Sequence, residues 1–264
     1  MSNISTSKVY LEPIEHVYIH RETGVKYQSV TKTISSIEPH FDSEAVSLAI
    51  AKQSNETKQQ VYIGMNQAQI LEYWQMLNDE ANTYGTLVHN TIEDYLKANK
   101  WWFPTDPFQQ KVIAGYDALN VDEGIRLHSE RIMFSEKYEL AGTSDLVIDI
   151  DDIWFDIGDY KTNKKINFYN PYGHQTLLKP FDHLQNCQYS IYSLQLSIYA
   201  YMYELEQPTR RCRQIFLMYW DKNVESFVRI PVTYLKKEAK QLLELHKYNS
   251  QYKWNQSQLL FLPY

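Results

Sequence analysis

Asp145, Asp159 and Lys161 are the residues whose types and spacing best suit chemistry. The segment that contains them alternates between apolar and polar residues and predicts a hairpin, in which Asp145 begins one strand and Asp159 ends the next. Both carboxylates then lie at the same end of a sheet. Side chains two apart on a strand share a face, so Asp159 and Lys161 point the same way.

Two converging carboxylates with a lysine beside them are costly unless a cation lies between them. A hard divalent ion such as magnesium suits oxygen ligands. Lys161 can then orient or help deprotonate an attacking water, or stabilise negative charge that grows on a phosphate. The alternative is that the two acidic residues only mark turns and that Lys161 is solvated. The apolar alternation of WFDIGDYK favours the first interpretation.

A second candidate is the segment GTLVHNTIEDYL, which places His89 and Glu93 four apart on one helix face. His89 can give a nitrogen ligand to the metal, with Glu93 orienting it or a water. Gly85 permits close approach of the helix start to another backbone. A surface pair or a hydrogen-bonded core histidine is the competing interpretation. The spacing lacks the second histidine of a zinc protease helix.

A third candidate is QLSIYAYM, in which Gln195 and Tyr199 share a helix face and can hold a phosphate or position the lysine. By itself, this segment is more typical of a core-facing amphipathic helix.

Strands and helices with short connections must position these residues. In the N-terminal half, the pattern predicts a hairpin turning at Arg21–Gly24, a helix start near Ser29 or Thr31, mostly helix over residues 42–97 and a helix over 108–120. Three strands follow over residues 126–161, with turns near 136–137 and 151–152. The remaining predicted elements are a helix over 184–206, the strands RQIFLMYW and ESFVRIPV, and a helix over 233–252. This order predicts an α/β fold with a mixed central β-sheet flanked by helices.

Composition narrows the class of protein. The net charge of −6 disfavours binding of nucleic acid by bulk charge, although a few placed cations and metal ions can still do so. Two cysteines without CxxC spacing exclude an iron–sulfur cluster. No apolar run is long enough to span a membrane, and the opening MSNISTSKVY lacks a signal-peptide core, so we expect a cytoplasmic protein without a membrane partner.

The segments GTLVHNTIE, GTSDLV, DYK and QLSIYAY occur in this order, and the set resembles the PD-(D/E)XK nuclease superfamily, specifically its RecB-like branch. Within that branch it looks most like phage exonucleases and the mitochondrial genome maintenance exonuclease. The N-terminal YQSVTKTIS resembles the PSVTTIL-type opening of that group, with Gln28 where proline is usual. The related CRISPR adaptation nucleases carry four cysteines for a cluster that this chain cannot form.

The resemblance implies roles for individual residues. His89, Asp145 and Asp159 correspond to metal ligands, with the Tyr160 carbonyl as a further ligand, and Lys161 corresponds to the catalytic lysine. The QxxxY motif, Gln195 and Tyr199, supports the site and the DNA. Weaker candidates for supporting or phosphate contacts are Glu93, Ser29, Thr31 and Thr162, and Glu130 is a possible extra carboxylate.

The resemblance also implies a restriction-endonuclease-like core with a helical N-terminal elaboration, in one nuclease domain over residues 1–264. Residues 1–120 carry the hairpin and the histidine motif, and residues 121–264 carry the sheet core. One or two magnesium or manganese ions would serve DNA hydrolysis, by an exonuclease of phage-type replication, recombination or end processing in the host cytoplasm. A single-strand binding or recombination protein is a possible partner. An endonuclease, an RNA-directed nuclease and a catalytically silent nucleic-acid-binding module remain alternatives.

Overall fold

The computed structural model describes residues 7–121, 124–171 and 173–252. Its strands are β1 Val9–Glu12, β2 Val17–His20, β3 Lys26–Ser29, β4 Arg126–Ser135, β5 Leu140–Asp149, β6 Trp154–Lys161, β7 Arg211–Asp221 and β8 Ser226–Val232. Its α-helices are α1 Val30–Ser35, α2 Ser43–Ala51, α3 Gln67–Lys97, α4 Pro107–Ala118, α5 Gln188–Glu206 and α6 Lys236–Tyr252, and a short 3-10 turn covers Gln60–Tyr62. Most of MSNISTSKVY, the segment used to predict the location, lies outside the described residues.

Short polar side chains fix where the N-terminal helices begin. The side chains of Ser29, Asp42, Asn66 and Asp106 each accept a backbone N–H from the first turn of α1, α2, α3 and α4. Asn66 also forms a reciprocal pair with Gln69. Such caps satisfy N–H groups that have no partner inside the helix. They explain why the stretch over residues 42–97, predicted as mostly helical, is divided into α2 and α3.

The strands form one eight-stranded mixed sheet in the order β1-β2-β3-β5-β6-β7-β8, with β4 paired to β5. The pairs β3–β5 and β6–β7 are parallel, and the others are antiparallel. The predicted α/β fold with a mixed sheet is confirmed. Because β3 pairs with β5, the N-terminal hairpin belongs to the same sheet as the later strands.

The sheet divides alongside β5. One edge of β5 pairs with β4 along almost its whole length. The other edge pairs with β3 at Leu140–Ala141 and with β6 from Leu146 to Asp149. The residues of β5 between these two pairings therefore have no neighbouring strand on that edge, which leaves an opening in the sheet.

Helices cover both faces of the sheet. Val147 of β5 packs in a core cluster with residues of α1, α5 and α6. Leu146 and Ile148, its neighbours along the strand, pack in a second cluster with residues of α3 and α4. This alternation is what a strand buried on both faces requires. Among the described helices, none is both long and apolar enough to cross a membrane.

Two predicted helix boundaries differ from the structure. Helix α5 begins at Gln188 rather than Leu184, because Gln185 forms a β-bridge with Thr176 and Cys187 keeps an extended backbone. Helix α6 begins at Lys236 rather than Thr233, because β8 continues to Val232.

Candidate metal centre

Asp145 and Asp159 lie side by side on β5 and β6. The paired residues of these strands end with Leu146 opposite Gly158, and the two aspartates follow directly beyond that pair. Both are buried, with relative exposures of 8% and 2%. The prediction that Asp145 begins its strand is wrong. β5 starts five residues earlier, at Leu140, because it also pairs with β3 and β4 there.

Where the pairing of β6 with β5 ends, the backbone groups of Tyr160 form hydrogen bonds with side chains instead of with a neighbouring strand. The backbone N–H of Tyr160 donates to Asp145 Oδ2 at 2.8 Å. The Tyr160 carbonyl lies 3.1 Å from Nε2 of His89, a residue of α3. When Nε2 carries the proton it donates to that carbonyl, which leaves the lone pair of Nδ1 free to bind a metal. Nδ1 lies 3.5 Å from Asp145 Oδ2.

Glu130 of β4 completes a group of three candidate metal ligands. Ser129 pairs with Leu146 and Arg131 pairs with Ser144, so Glu130 lies opposite Asp145. One ligand atom from each of His89, Glu130 and Asp145 can be chosen so that all three lie within 4.8 Å of one another. Two carboxylates and an imidazole form a donor set that can bind a divalent metal ion.

Electrostatics at this group favour a bound cation. Burial, with the charges of Asp145, Glu93 and Asp159, raises the pKa of Glu130 to about 8. Burial and then the charge of Asp159 raise the pKa of Asp145. Glu130 also has a positive φ of 51°, a conformation that costs energy for a residue with a side chain. Proximity of buried carboxylates is therefore unfavourable here unless a cation offsets it.

Lys161 forms an ion pair with Asp159 next to the ligand group. Its Nζ also lies 4.5 Å from the centre of the Tyr192 ring. Burial lowers the pKa of Lys161, but the charges of Asp159 and Asp145 outweigh this effect and hold the pKa above its usual value. The structure thus presents a fixed ammonium group beside the carboxylates. Asp159, expected to be a ligand, has its carboxylate directed to this lysine.

Gln195 and Tyr199 of α5 lie over β5 from the opposite face of the sheet. Gln195 Nε2 donates to the Tyr199 hydroxyl at 3.3 Å. The Tyr199 ring occupies the space beside Gly142, where a Cβ atom would lie 2.7 Å from a ring carbon. The glycine of GTSDLV therefore permits the close approach of the helix that carries QxxxY.

The remaining predicted residues divide into two groups. Thr162 and Glu93 line the same groove as His89 and Lys161. Glu93, however, forms an ion pair with Lys97 rather than orienting the histidine. Ser29 caps α1 and its hydroxyl contacts that of Thr31, so the described contacts of these two residues belong to a helix end.

The interpretation of Gly85 is corrected in detail. Gly85 lies inside α3, not at its start, and the close neighbour is a side chain rather than a backbone. A Cβ atom at Gly85 would lie 3.1 Å from Oγ1 of Thr162. The glycine thus sets how closely α3 approaches the end of β6.

Glu130 has only a minor role in the sequence-based predictions, although the position of the hairpin turn already indicates which part of β4 faces Asp145. A turn centred between Glu136 and Lys137 would place residue 128 opposite Asp145. The observed register turns one residue later, which moves the partner by two residues to Glu130. Residues 128 and 130 lie on the same face of a regular strand. The hairpin pattern therefore contained a signal for the strand face that carries Glu130, although it did not give the exact register.

The similarity of this chain to known proteins is low. No family model matches the chain. No curated protein matches it either. A crystal structure of a candidate exonuclease from Eubacterium rectale aligns with a TM-score of 0.38 and 10% identity, over 85% of this chain and 79% of that one. The crystal structure of a protein named SSO0001 aligns with a TM-score of 0.26 and 13% identity, over 66% of this chain and 72% of that one. Scores this low do not establish a shared fold.

Proposed function

We propose that this protein is a metal-dependent nuclease that hydrolyses phosphodiester bonds of DNA. The observation that carries the proposal is the convergence of His89, Glu130 and Asp145 within 4.8 Å, from α3, β4 and β5. The ion pair of Asp159 and Lys161 stands beside them. Two carboxylates held together by the fold, one of them buried, repel each other, and a bound cation would offset that repulsion.

Each residue has a distinct task in the proposed reaction. His89, Glu130 and Asp145 would hold one or two magnesium or manganese ions, with Asp159 and the Tyr160 carbonyl as further candidates. A bound ion of this kind supplies Lewis acidity toward the scissile phosphate. The Tyr160 carbonyl orients His89. Lys161, fixed by Asp159 and the Tyr192 ring, stabilises negative charge as it grows on the phosphate.

A groove next to these residues can take a nucleic-acid strand. It has a volume of about 1660 Å³, and its lining includes His89, Glu130, Lys161 and Thr162. An open groove suits a polymer better than an enclosed pocket does. The ordered motifs support the finer assignment to the RecB-like branch of the PD-(D/E)XK superfamily. They also support an exonuclease of phage-type replication, recombination or end processing that leaves 5′-phosphate and 3′-hydroxyl ends.

The test is incubation of end-labelled linear duplex, closed circular and single-stranded DNA, and of single-stranded RNA, with magnesium, manganese or a chelator. We expect linear DNA to be degraded from its ends only with metal, while closed circles persist. Lys161→Ala should lower kcat by about 10²–10³-fold, the usual loss when one charge-stabilising donor is removed. Lys165→Ala, an exposed lysine of the loop after β6, is the matched control and should retain activity.

Four outcomes would count against parts of the proposal. Cleavage of closed circles would replace the exonuclease with an endonuclease, and degradation of RNA alone would change the substrate class. Activity that survives both the chelator and Lys161→Ala would refute the site itself. If wild-type protein binds DNA but cleaves none under all conditions, a silent binding module is the better description.

A further inference from the structure

The groove beside the candidate metal ligands is also lined by two lysines that have no role in the proposed hydrolysis. Lys164, from the loop after β6, and Lys222, from the turn between β7 and β8, line it together with His89 and Glu130. Both lysines are exposed. Among the ion pairs of the described residues, neither has a carboxylate partner. Their charge is therefore available to a ligand.

Three cations elsewhere in the fold are already paired with carboxylates. Arg210 lies 3.1 Å from the buried carboxylate of Asp149, and Arg213 lies 2.6 Å from that of Asp156. Lys236 pairs with Glu204 at 2.5 Å. None of these three cations lines the groove. The structure thus separates cations that stabilise the fold from Lys164, which faces the groove.

Lys222 is held in position by its surroundings. Its Nζ lies 3.7 Å from the centre of the Tyr84 ring, a cation–π contact. The Tyr84 hydroxyl in turn accepts a hydrogen bond of 2.7 Å from Trp220 Nε1. On the neighbouring loop, the Lys164 carbonyl accepts a hydrogen bond of 3.0 Å from the Tyr219 hydroxyl. Both sites are preorganised, which reduces the entropy lost on binding.

The helix that lines another part of the groove has the opposite charge. Helix α3 contains no lysine or arginine before Lys97, and its Glu80 and Glu93 line the groove. A polyanionic strand is repelled by this helix and attracted by the loops that carry Lys164 and Lys222. The charge distribution therefore favours a position of the strand near Lys164 and Lys222 and away from the two glutamates.

We propose that Lys164 and Lys222 bind backbone phosphates of the substrate strand, on nucleotides next to the one that is cleaved. This inference rests on the proposed nuclease function and extends it, because it assigns where the uncleaved part of the strand lies. Contacts of this kind carry no sequence information, and they position the strand relative to the metal ligands.

The test is the salt dependence of binding to a fluorescent single-stranded DNA in which every linkage is a phosphorothioate, which keeps the charge and resists hydrolysis. Anisotropy titrations in magnesium compare wild type with the double variant Lys164→Ala/Lys222→Ala. Each phosphate contact with a single strand contributes about 0.7 to the slope of log K against log salt, so the slope should fall by about 1.4. Lys237→Ala/Lys240→Ala, two exposed lysines of α6, removes equal charge outside the groove and should leave the slope unchanged.

The outcomes separate this inference from the nuclease proposal. An unchanged slope in the Lys164→Ala/Lys222→Ala protein, or an equal fall in the α6 control, overturns the inference even if the wild type cleaves DNA. A fall in slope in the Lys164→Ala/Lys222→Ala protein, combined with a wild type that cleaves no DNA, overturns the nuclease proposal and leaves the phosphate-binding role of the two lysines. A wild type that does not bind the probe overturns the inference, and the cleavage assay alone then decides the nuclease proposal.

Discussion

Three carboxylates, Glu130, Asp145 and Asp159, lie side by side across β4, β5 and β6. Like charges directly opposite each other on neighbouring strands are destabilising, and burial adds to the cost. The nearby ammonium of Lys161 pairs with Asp159. Glu130 and Asp145 instead lie beside His89, whose imidazole is neutral in the form that binds a metal. A divalent cation would therefore offset the most charge repulsion if it lay between these three residues.

Replacing Glu130 with glutamine tests this arrangement directly. Without metal, Glu130→Gln should unfold at the same temperature as wild type or a higher one, because a desolvated carboxylate is removed. Its affinity for manganese should fall by at least about 10-fold, the smallest loss usual even for partners behind the metal ligands. The measurement is the shift of Tm with manganese concentration. Glu139→Gln, an exposed residue of the same hairpin, is the control, and an equal loss in both variants would exclude Glu130 as a ligand.

Packing of α3 against the end of β6 determines where His89 lies. Gly85 precedes His89 by about one turn and faces Thr162. We expect Gly85→Ala to change the free energy of unfolding by less than about 1 kcal/mol, because alanine's better helix propensity offsets the tight contact. Cleavage should fall by at least about 10-fold, because a displaced ligand disturbs the geometry of the reaction. The measurements are urea denaturation and kcat.

Removal of the opposing hydroxyl provides the control for this helix position. In the Gly85→Ala protein, Thr162→Ala opens the space that the new methyl group needs and should restore part of the lost kcat. Thr162→Ala alone gives the reference for the double-mutant cycle. Strict additivity of the two effects would show that the contact between α3 and Thr162 does not position His89.

The far end of β5 contains a buried ion cluster that stabilises the fold. Asp149 accepts hydrogen bonds from His128 at 3.1 Å and Tyr203 at 3.0 Å, and Arg210 lies 3.1 Å away. Burial alone would raise the pKa of Asp149, but these partners outweigh it and hold the pKa below its ordinary value. A carboxyl group with a lowered pKa stabilises the fold above its unfolded pKa of about 3.9, and this contribution is lost as the pH falls through the folded pKa.

Asp149→Asn should therefore lower the free energy of unfolding at pH 7 by about 3 kcal/mol, because it leaves Arg210 without its partner. The difference from wild type should begin to shrink as the pH falls below the unfolded pKa of about 3.9, and it should be lost as the pH falls through the lower folded pKa. Urea denaturation between pH 3 and 7 measures it. Asp152→Asn, in the exposed turn after β5, is the control. A difference that does not vary with pH would show that the charge of Asp149 has no role.

The candidate ligands connect distant parts of the whole chain. The three residues belong to one helix and two strands: His89 to α3, Glu130 to β4 and Asp145 to β5. An ion bound by all three acts as a cross-link that exists only in the folded protein. Binding to the folded state alone stabilises it by mass action.

Metal should consequently raise the melting temperature. At a magnesium or manganese concentration of about 100 times Kd, the added stability is about 2.7 kcal/mol. In a chain of this size that corresponds to a rise in Tm of about 5–10 °C, which a chelator should reverse. Asp145→Asn should lose most of this rise. An equal rise in wild type and Asp145→Asn would place the stabilising ion elsewhere.

The sequence by itself determined the mixed α/β fold, the three-stranded segment and the positions of Asp159 and Lys161 on one strand face. These features depend on local periodicity and on caps, which act within a few residues. The order of the motifs also predicted that His89 and Asp145 bind the same metal ion.

Only the tertiary structure decided the rest. It placed Glu130 opposite Asp145, and it directed the Asp159 carboxylate to Lys161. It also assigned Arg210 and Arg213 to buried carboxylates and Lys222 to the groove. The physical reason is that strand register and helix packing set the distances between segments far apart in the chain. Spacing along the sequence carries no information about those distances.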